Sequence, residues 1–227
     1  QNIQFEPVRR MVMSVLKEIR ISDSLALNHR GKTPVFVDVL PSASDSPYTT
    51  AETFNTNESL VIVIPMYVET YYSPGKLLLP SLHLRAARVL VLARIQETEN
   101  LHHTYDALED AHFDALPHQK NNPNASRLRN QDRRSLVNAV HDELDFWEVY
   151  ASTTRYIAGD MFPLANCTFF SLLGYMVHRG FTWNRLGGKR TWPHLQAYYL
   201  RVHERECAKR APPQGWDAPG GANIFRT

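Results

Sequence analysis

Apolar positions along this chain keep one rhythm up to about residue 73 and another beyond residue 80. In the first stretch, Val8, Val12, Val15, Leu16 and Ile19 recur at helical spacing, so residues 8–19 are expected to form a helix after a short strand over 2–5. Residues 34–40 (PVFVDVL) are a β-branched run bounded by turn residues and predict a strand. The polar segment 41–57 (PSASDSPYTTAETFNTN) predicts a loop too long for a tight hairpin. Residues 58–72 (ESLVIVIPMYVETYY) predict a helix, with a kink at Pro65. Ser73-Pro74-Gly75 and Pro80 then punctuate the chain.

Past that break the period is helical nearly throughout. Leu101, Tyr105, Leu108 and His112 share one face of a helix expected over about 81–115. Leu136, Val140, Leu144 and Trp147 mark the next helix. Phe169, Leu172, Leu173, Met176 and Val177 mark a strongly apolar one, and residues 193–208 carry another. Residues 117–124, the Gly187-Gly188 pair and the tail from Ala211 read as irregular. The expected organisation is an α/β domain over 1–75 followed by an all-helical domain over 80–227.

Composition narrows the function more than it names one. At 227 residues with 43% hydrophobic and 11% aromatic content, the chain can bury a substantial core, which excludes disorder and fibrous repeats. Lys+Arg 25 against Asp+Glu 23 gives a formal charge of +2, which offers no electrostatic case for nucleic acid. No apolar run is long enough to cross a bilayer, and the first residues lack the apolar stretch of a secretory signal. Cys167 and Cys207 are the only cysteines, too few for a disulfide framework. A cytoplasmic protein is the expectation.

The ordered motifs say more. Asn28-His29-Arg30-Gly31-Lys32-Thr33-Pro34-Val35, followed by Asn57-Glu58-Ser59-Leu60, resembles the glutathione transferase family: its N-P-x-G-x-V-P-x-L element and the E-S pair that opens a helix of its thioredoxin-like domain. The similarity continues through Tyr67-Val68-Glu69, Gln96-Glu97, Gly159-Asp160 with Asn166, and residues 192–199 (WPHLQAYY). The ending PPQGW-x-x-P-x-G looks closest to the rho-like class. The resemblance implies a thioredoxin-like N-terminal domain, a helical bundle after it, and a homodimer joined through the family's third and fourth helices. It further implies glutathione as co-substrate and an apolar electrophile as its acceptor.

Elementary chemistry is consistent with those positions. The residue before a proline is driven to extended geometry, and X-Pro is where cis peptides occur. With a cis bond the main chain of Thr33 at Pro34 would face outward and pair with a peptide as an added strand does. A trans Pro34 that merely opens an edge strand is the plain alternative. Glu58 would accept the α-ammonium of a γ-glutamyl group, while Ser59 and the helix start would take its carboxylate. Lys32 would neutralise the glycyl carboxylate. His103 and Tyr105 border the acceptor pocket that this helix lines in the family.

The pattern also breaks. The family needs a Tyr, Ser or Cys at the start of its first helix to hold the glutathione sulfur as thiolate, yet residues 4–8 are Gln4, Phe5, Glu6, Pro7 and Val8. No catalytic residue is therefore assigned. Only SDSLAL separates Ile21 from Asn28, where a second strand and helix belong. Either residues are missing from this stretch, or the thioredoxin-like half is incomplete and the protein is a catalytically silent subunit that binds other proteins. Two Glu-x-x-His pairs, Glu99 with His102 and Glu109 with His112, sit ten residues apart on one expected helix, too far to share an ion, so no metal is expected. No G-x-S-x-G or phosphate loop occurs.

Overall fold

The computed structural model describes residues 35–39, 53–57, 63–72, 78–81, 84–114, 130–184, 190–212 and 223–226. The chain divides into two compact units, Gln1–Leu78 and Leu79–Thr227. The helix expected over 8–19, the strand over 2–5 and the loop over 117–124 lie outside the described residues.

In the first unit β1 (Val35–Val39) pairs antiparallel with β2 (Thr53–Asn57), with Cα partners running from Val35↔Asn57 to Val39↔Thr53. The second strand corrects the expectation of loop throughout 41–57. The Ser, Asp and Pro residues of 41–47 signal a turn, but Thr53, Phe54 and Thr56 favour extended backbone, and pairing with β1 gives alternate residues of β2 main-chain partners. Helix α1 (Val63–Tyr72) follows. Pro65 falls in its first turn, where a backbone N–H has no acceptor within the helix, so the ring does not break the ladder. After α1 the carboxylate of Glu69 accepts the Leu78 N–H at 2.5 Å, tying the exit of the helix to the following chain.

The second unit is helical. Its elements are α2 (Arg85–Asp114), α3 (Asn130–Thr153), α4 (Leu164–His178), α5 (Pro193–His203) and the short α6 (Glu206–Arg210). Packing follows the apolar stripes. Val91, Ile95, Leu101, Tyr105 and Leu108 of α2 are buried, as are Val137, Val140, Leu144 and Trp147 of α3, while Leu136 is only half-buried. Trp147 stacks on Phe169 of α4 with ring centroids 3.9 Å apart, and Phe169 meets Tyr198 of α5 at 5.6 Å. Three helices are thereby joined through one aromatic column. The helix expected over 193–208 is interrupted at Glu204-Arg205, and the chain restarts as α6.

Candidate functional site

Of the positions singled out by sequence, Lys32, Thr33, Pro34, Glu58 and Ser59 lie outside the described residues, as do residues 4–8. Their flanking neighbours are described. Val35, which follows Pro34, and Asn57, which precedes Glu58, are Cα partners at the same end of the β1–β2 pair. Opposed residues in an antiparallel pair sit about 4.5–5.5 Å apart. Val35 and Asn57, more than twenty positions apart in sequence, thus meet at one strand end.

His103 and Tyr105 occupy different faces of α2. The His103 side chain is 71% exposed and its Nε2 lies 3.5 Å from Glu99 Oε1. His102 pairs in the same way with Asp106, 3.2 Å away. Partial burial raises the Asp106 carboxyl above the ordinary range, opposed by the His102 charge. Each histidine therefore answers a carboxylate one turn away on its own helix. Among the described residues no group of three or more His, Cys, Asp or Glu gathers to hold a metal.

Tyr105 has no exposed surface. Its ring meets Tyr175 edge-on at 5.8 Å and stacks with Phe225 at 6.3 Å, and its buried hydroxyl has no hydrogen-bond partner among the described residues. Burial first, and then the Glu109 charge, push its pKa far upward. A tyrosine so placed stays protonated. Beside it Glu109 Oε1 accepts from Tyr175 OH at 2.6 Å and faces Arg179 Nε at 3.2 Å, while Arg179 also donates to the Tyr175 oxygen at 2.8 Å. Sequence reasoning missed this cluster because its members come from different helices, 66 residues apart for Glu109 and Tyr175. It anchors the chain's last described segment: Ile224 N donates to Arg179 O at 3.0 Å, and Arg133 donates to Ile224 O at 2.9 Å.

Another knot secures the start of α2 and the loop before α4. The Arg94 guanidinium lies 3.3 Å over the Tyr150 ring, donates to Glu97 at 2.6 Å and reaches the Ile157 carbonyl at 3.2 Å. The loop it holds turns at Gly159, whose φ of +118° suits glycine, and Tyr156 bridges Gly159 through two main-chain hydrogen bonds. Asn166 is fully buried there. Its amide donates to Pro163 O at 3.2 Å and its carbonyl faces Ile157 N at 3.4 Å. Pro163 stands at the cap of α4 with no side-chain cap bond, since its ring carries no donor or acceptor. These arrangements position main chain and perform no chemistry.

Comparison with known proteins adds what the described side chains do not hold. No protein-family model matches the chain. Glutathione S-transferase A of Pleuronectes platessa is 31% identical over 107 residues, 46% of this chain and 44% of that protein, so the match spans less than half the length of this curated relative. Among solved structures, a glutathione S-transferase from the Antarctic clam Laternula elliptica aligns with a TM-score of 0.67 at 24% identity, covering 92% of this chain and 81% of that one. A theta class glutathione S-transferase from Xanthomonas axonopodis pv. citri, solved with glutathione bound, aligns with a TM-score of 0.56 at 18% identity, covering 87% and 80%. No described helix is long and apolar enough to cross a membrane. The chain has the glutathione S-transferase fold.

Proposed function

We propose that this protein is a glutathione transferase that joins the glutathione thiol to apolar electrophiles, and that its class is rho-like. The observation that supports this reading is the strand register: Val35, which follows Thr33-Pro34 in the chain, pairs with Asn57, which precedes Glu58-Ser59. A tripeptide lying across that end would set its cysteinyl main chain against Thr33 and Pro34. Its γ-glutamyl group would reach Glu58 and Ser59, and its glycyl carboxylate would reach Lys32. The cysteinyl sulfur, as thiolate, then attacks an electrophilic carbon; a C–S bond forms and the leaving group departs with its electron pair. Holding both reactants side by side replaces a bimolecular encounter, and preorganised donors stabilise the thiolate. No residue of this chain is assigned to that last task. His103 is the exposed candidate for the acceptor pocket, and Tyr105, covered by Phe225, supports it through packing.

A homodimer in the cytoplasm belongs to the same proposal. Val89, Leu90 and Leu92 leave apolar surface exposed on α2, one of the two helices the family resemblance places at the dimer interface. A second reading, a catalytically silent subunit that binds other proteins, draws on the lack of a hydroxyl or thiol at Gln4, Phe5, Glu6, Pro7 and Val8. Conjugation of glutathione to 1-chloro-2,4-dinitrobenzene separates the two. The transferase reading expects turnover that falls at least about tenfold in the Glu58→Ala, Ser59→Ala double variant. Retention on immobilised glutathione without turnover would leave the silent subunit.

A further inference from the structure

The two cysteines of the chain, Cys167 on α4 and Cys207 on α6, lie on segments that approach each other on both sides of them. Ahead of both, the Arg205 guanidinium stands 4.1 Å over the Phe162 ring, and its Nη1 donates to Tyr156 OH at 3.4 Å. Beyond both, Ser171 and Gly174 of α4 line one cleft together with Ala208 and Ala211. Positions 167, 171 and 174 share one face of a helix, and 207 lies one turn before 211. Cys167 therefore sits on the face of α4 turned toward that cleft, and Cys207 on the side of α6 turned toward it.

The electrostatics of the thiols agree with that placement. Burial pushes the Cys167 thiol up to about 11; Cys207 adds to the rise and Arg205 opposes it. Burial lowers the Arg205 pKa, and hydrogen bonding to Cys207, with its other contacts, more than offsets this. The two thiols differ in access, Cys207 being exposed and Cys167 half-buried. A thiol held protonated and partly covered is slow toward reagents in solution, so Cys207 meets them first. Helix α6 has five residues, of which only Ala208 is buried. Such a short, exposed helix has the freedom for the small adjustment that a disulfide's Cα spacing demands.

We propose that Cys167 and Cys207 form a reversible dithiol switch that pins α6 to α4 when a small-molecule disulfide oxidises it. The Cys207 thiolate attacks the disulfide, forming a mixed disulfide and releasing one thiolate. The Cys167 thiolate then attacks the Cys207 sulfur, forming the Cys167–Cys207 bond and releasing the second thiolate. Two protein thiols thereby give up two electrons and two protons, and one disulfide becomes two thiols. The test treats the full chain with 2-hydroxyethyl disulfide under native conditions. The expected product is a monomeric chain lighter by two hydrogens, yielding a peptide that links Cys167 to Cys207 and reverting with dithiothreitol. Tryptic cleavage after the exposed Lys209 and Arg210 should slow at least about fivefold in the oxidised chain, because it requires α6 to open. Cys167→Ser should stop at the mixed disulfide on Cys207 and gain no such protection, and Cys207→Ser should form no link. Near-ultraviolet circular dichroism checks each variant; should Cys167→Ser lose its fold, the exposed Cys207→Ser decides. A mixed disulfide that persists in the unaltered chain, disulfide-linked dimers, no oxidation, or an unchanged tryptic rate would each overturn the proposal.

Discussion

At the start of α4 one side chain takes over what a capping pair does elsewhere. Pro163 has no side-chain acceptor to offer, and Asn166, three residues on, folds back on the Pro163 carbonyl while facing the Ile157 N–H. Because Asn166 is fully buried, truncating it leaves the Ile157 N–H without its acceptor and cut off from water, while the Pro163 carbonyl keeps only the Asn166 main-chain N–H, 3.0 Å away. Asn166→Ala should lower unfolding stability by about 2 kcal/mol, read as a lower urea midpoint with unchanged slope. Asn166→Asp keeps the acceptor toward Ile157 but loses the donor toward Pro163, and should fall between the two. Equal midpoints for Asn166→Ala and the unaltered chain would show that the loop is held without this residue. The sequence marked this position through the family resemblance, so Asn166 itself was legible there. The partners across the fold, Arg94 to Ile157 and Glu109 to Tyr175, were not, since nothing local encodes a contact between helices so far apart in the chain.

Elements show the same division between local and tertiary information. The long α2 was readable to within a few residues at each end, because its stripe of Ile95, Leu101, Tyr105 and Leu108 is unbroken. Strand β2 was hidden in a polar segment, since its strength comes from pairing with β1 rather than from apolar alternation. The start of α5 is likewise set from outside. Trp192 caps it without a side-chain bond, and the Glu148 carboxylate on α3 instead accepts the His194 and Leu195 N–H groups, both at 2.9 Å. Asp145, one turn earlier on α3, accepts from Trp192 Nε1 at 2.9 Å and from Arg190 Nε, fixing the approach to α5. A carboxylate at a helix N-terminus also meets the favourable end of the helix dipole. Glu148→Ala should therefore cost about 1 kcal/mol, and Glu148→Gln less, as read by thermal unfolding at low ionic strength. A Glu148→Ala chain that melts with the unaltered one would show that α5 is held by its buried Leu195 and Tyr198 alone.

For the molecule as a whole, the family's fold was legible, while the glutathione-binding positions named from sequence lie outside the described residues. Spaced motifs from Asn28 to Tyr199 pointed to the glutathione transferase fold, and the solved structures bear out that fold. The thiolate-stabilising group could not be read, because residues 4–8 offer neither hydroxyl nor thiol. What stands at the centre of the proposal is the pairing of Val35 with Asn57, the described neighbours of the two motifs in the chain. Glutathione that binds only the folded chain must also stabilise it by mass action. Calorimetric titration of glutathione into the full chain tests this most directly. Saturable binding at one site per chain, weakened at least about tenfold by Glu58→Ala with Ser59→Ala, is the predicted result. An absence of binding, or an affinity the double variant leaves unchanged, would contradict it.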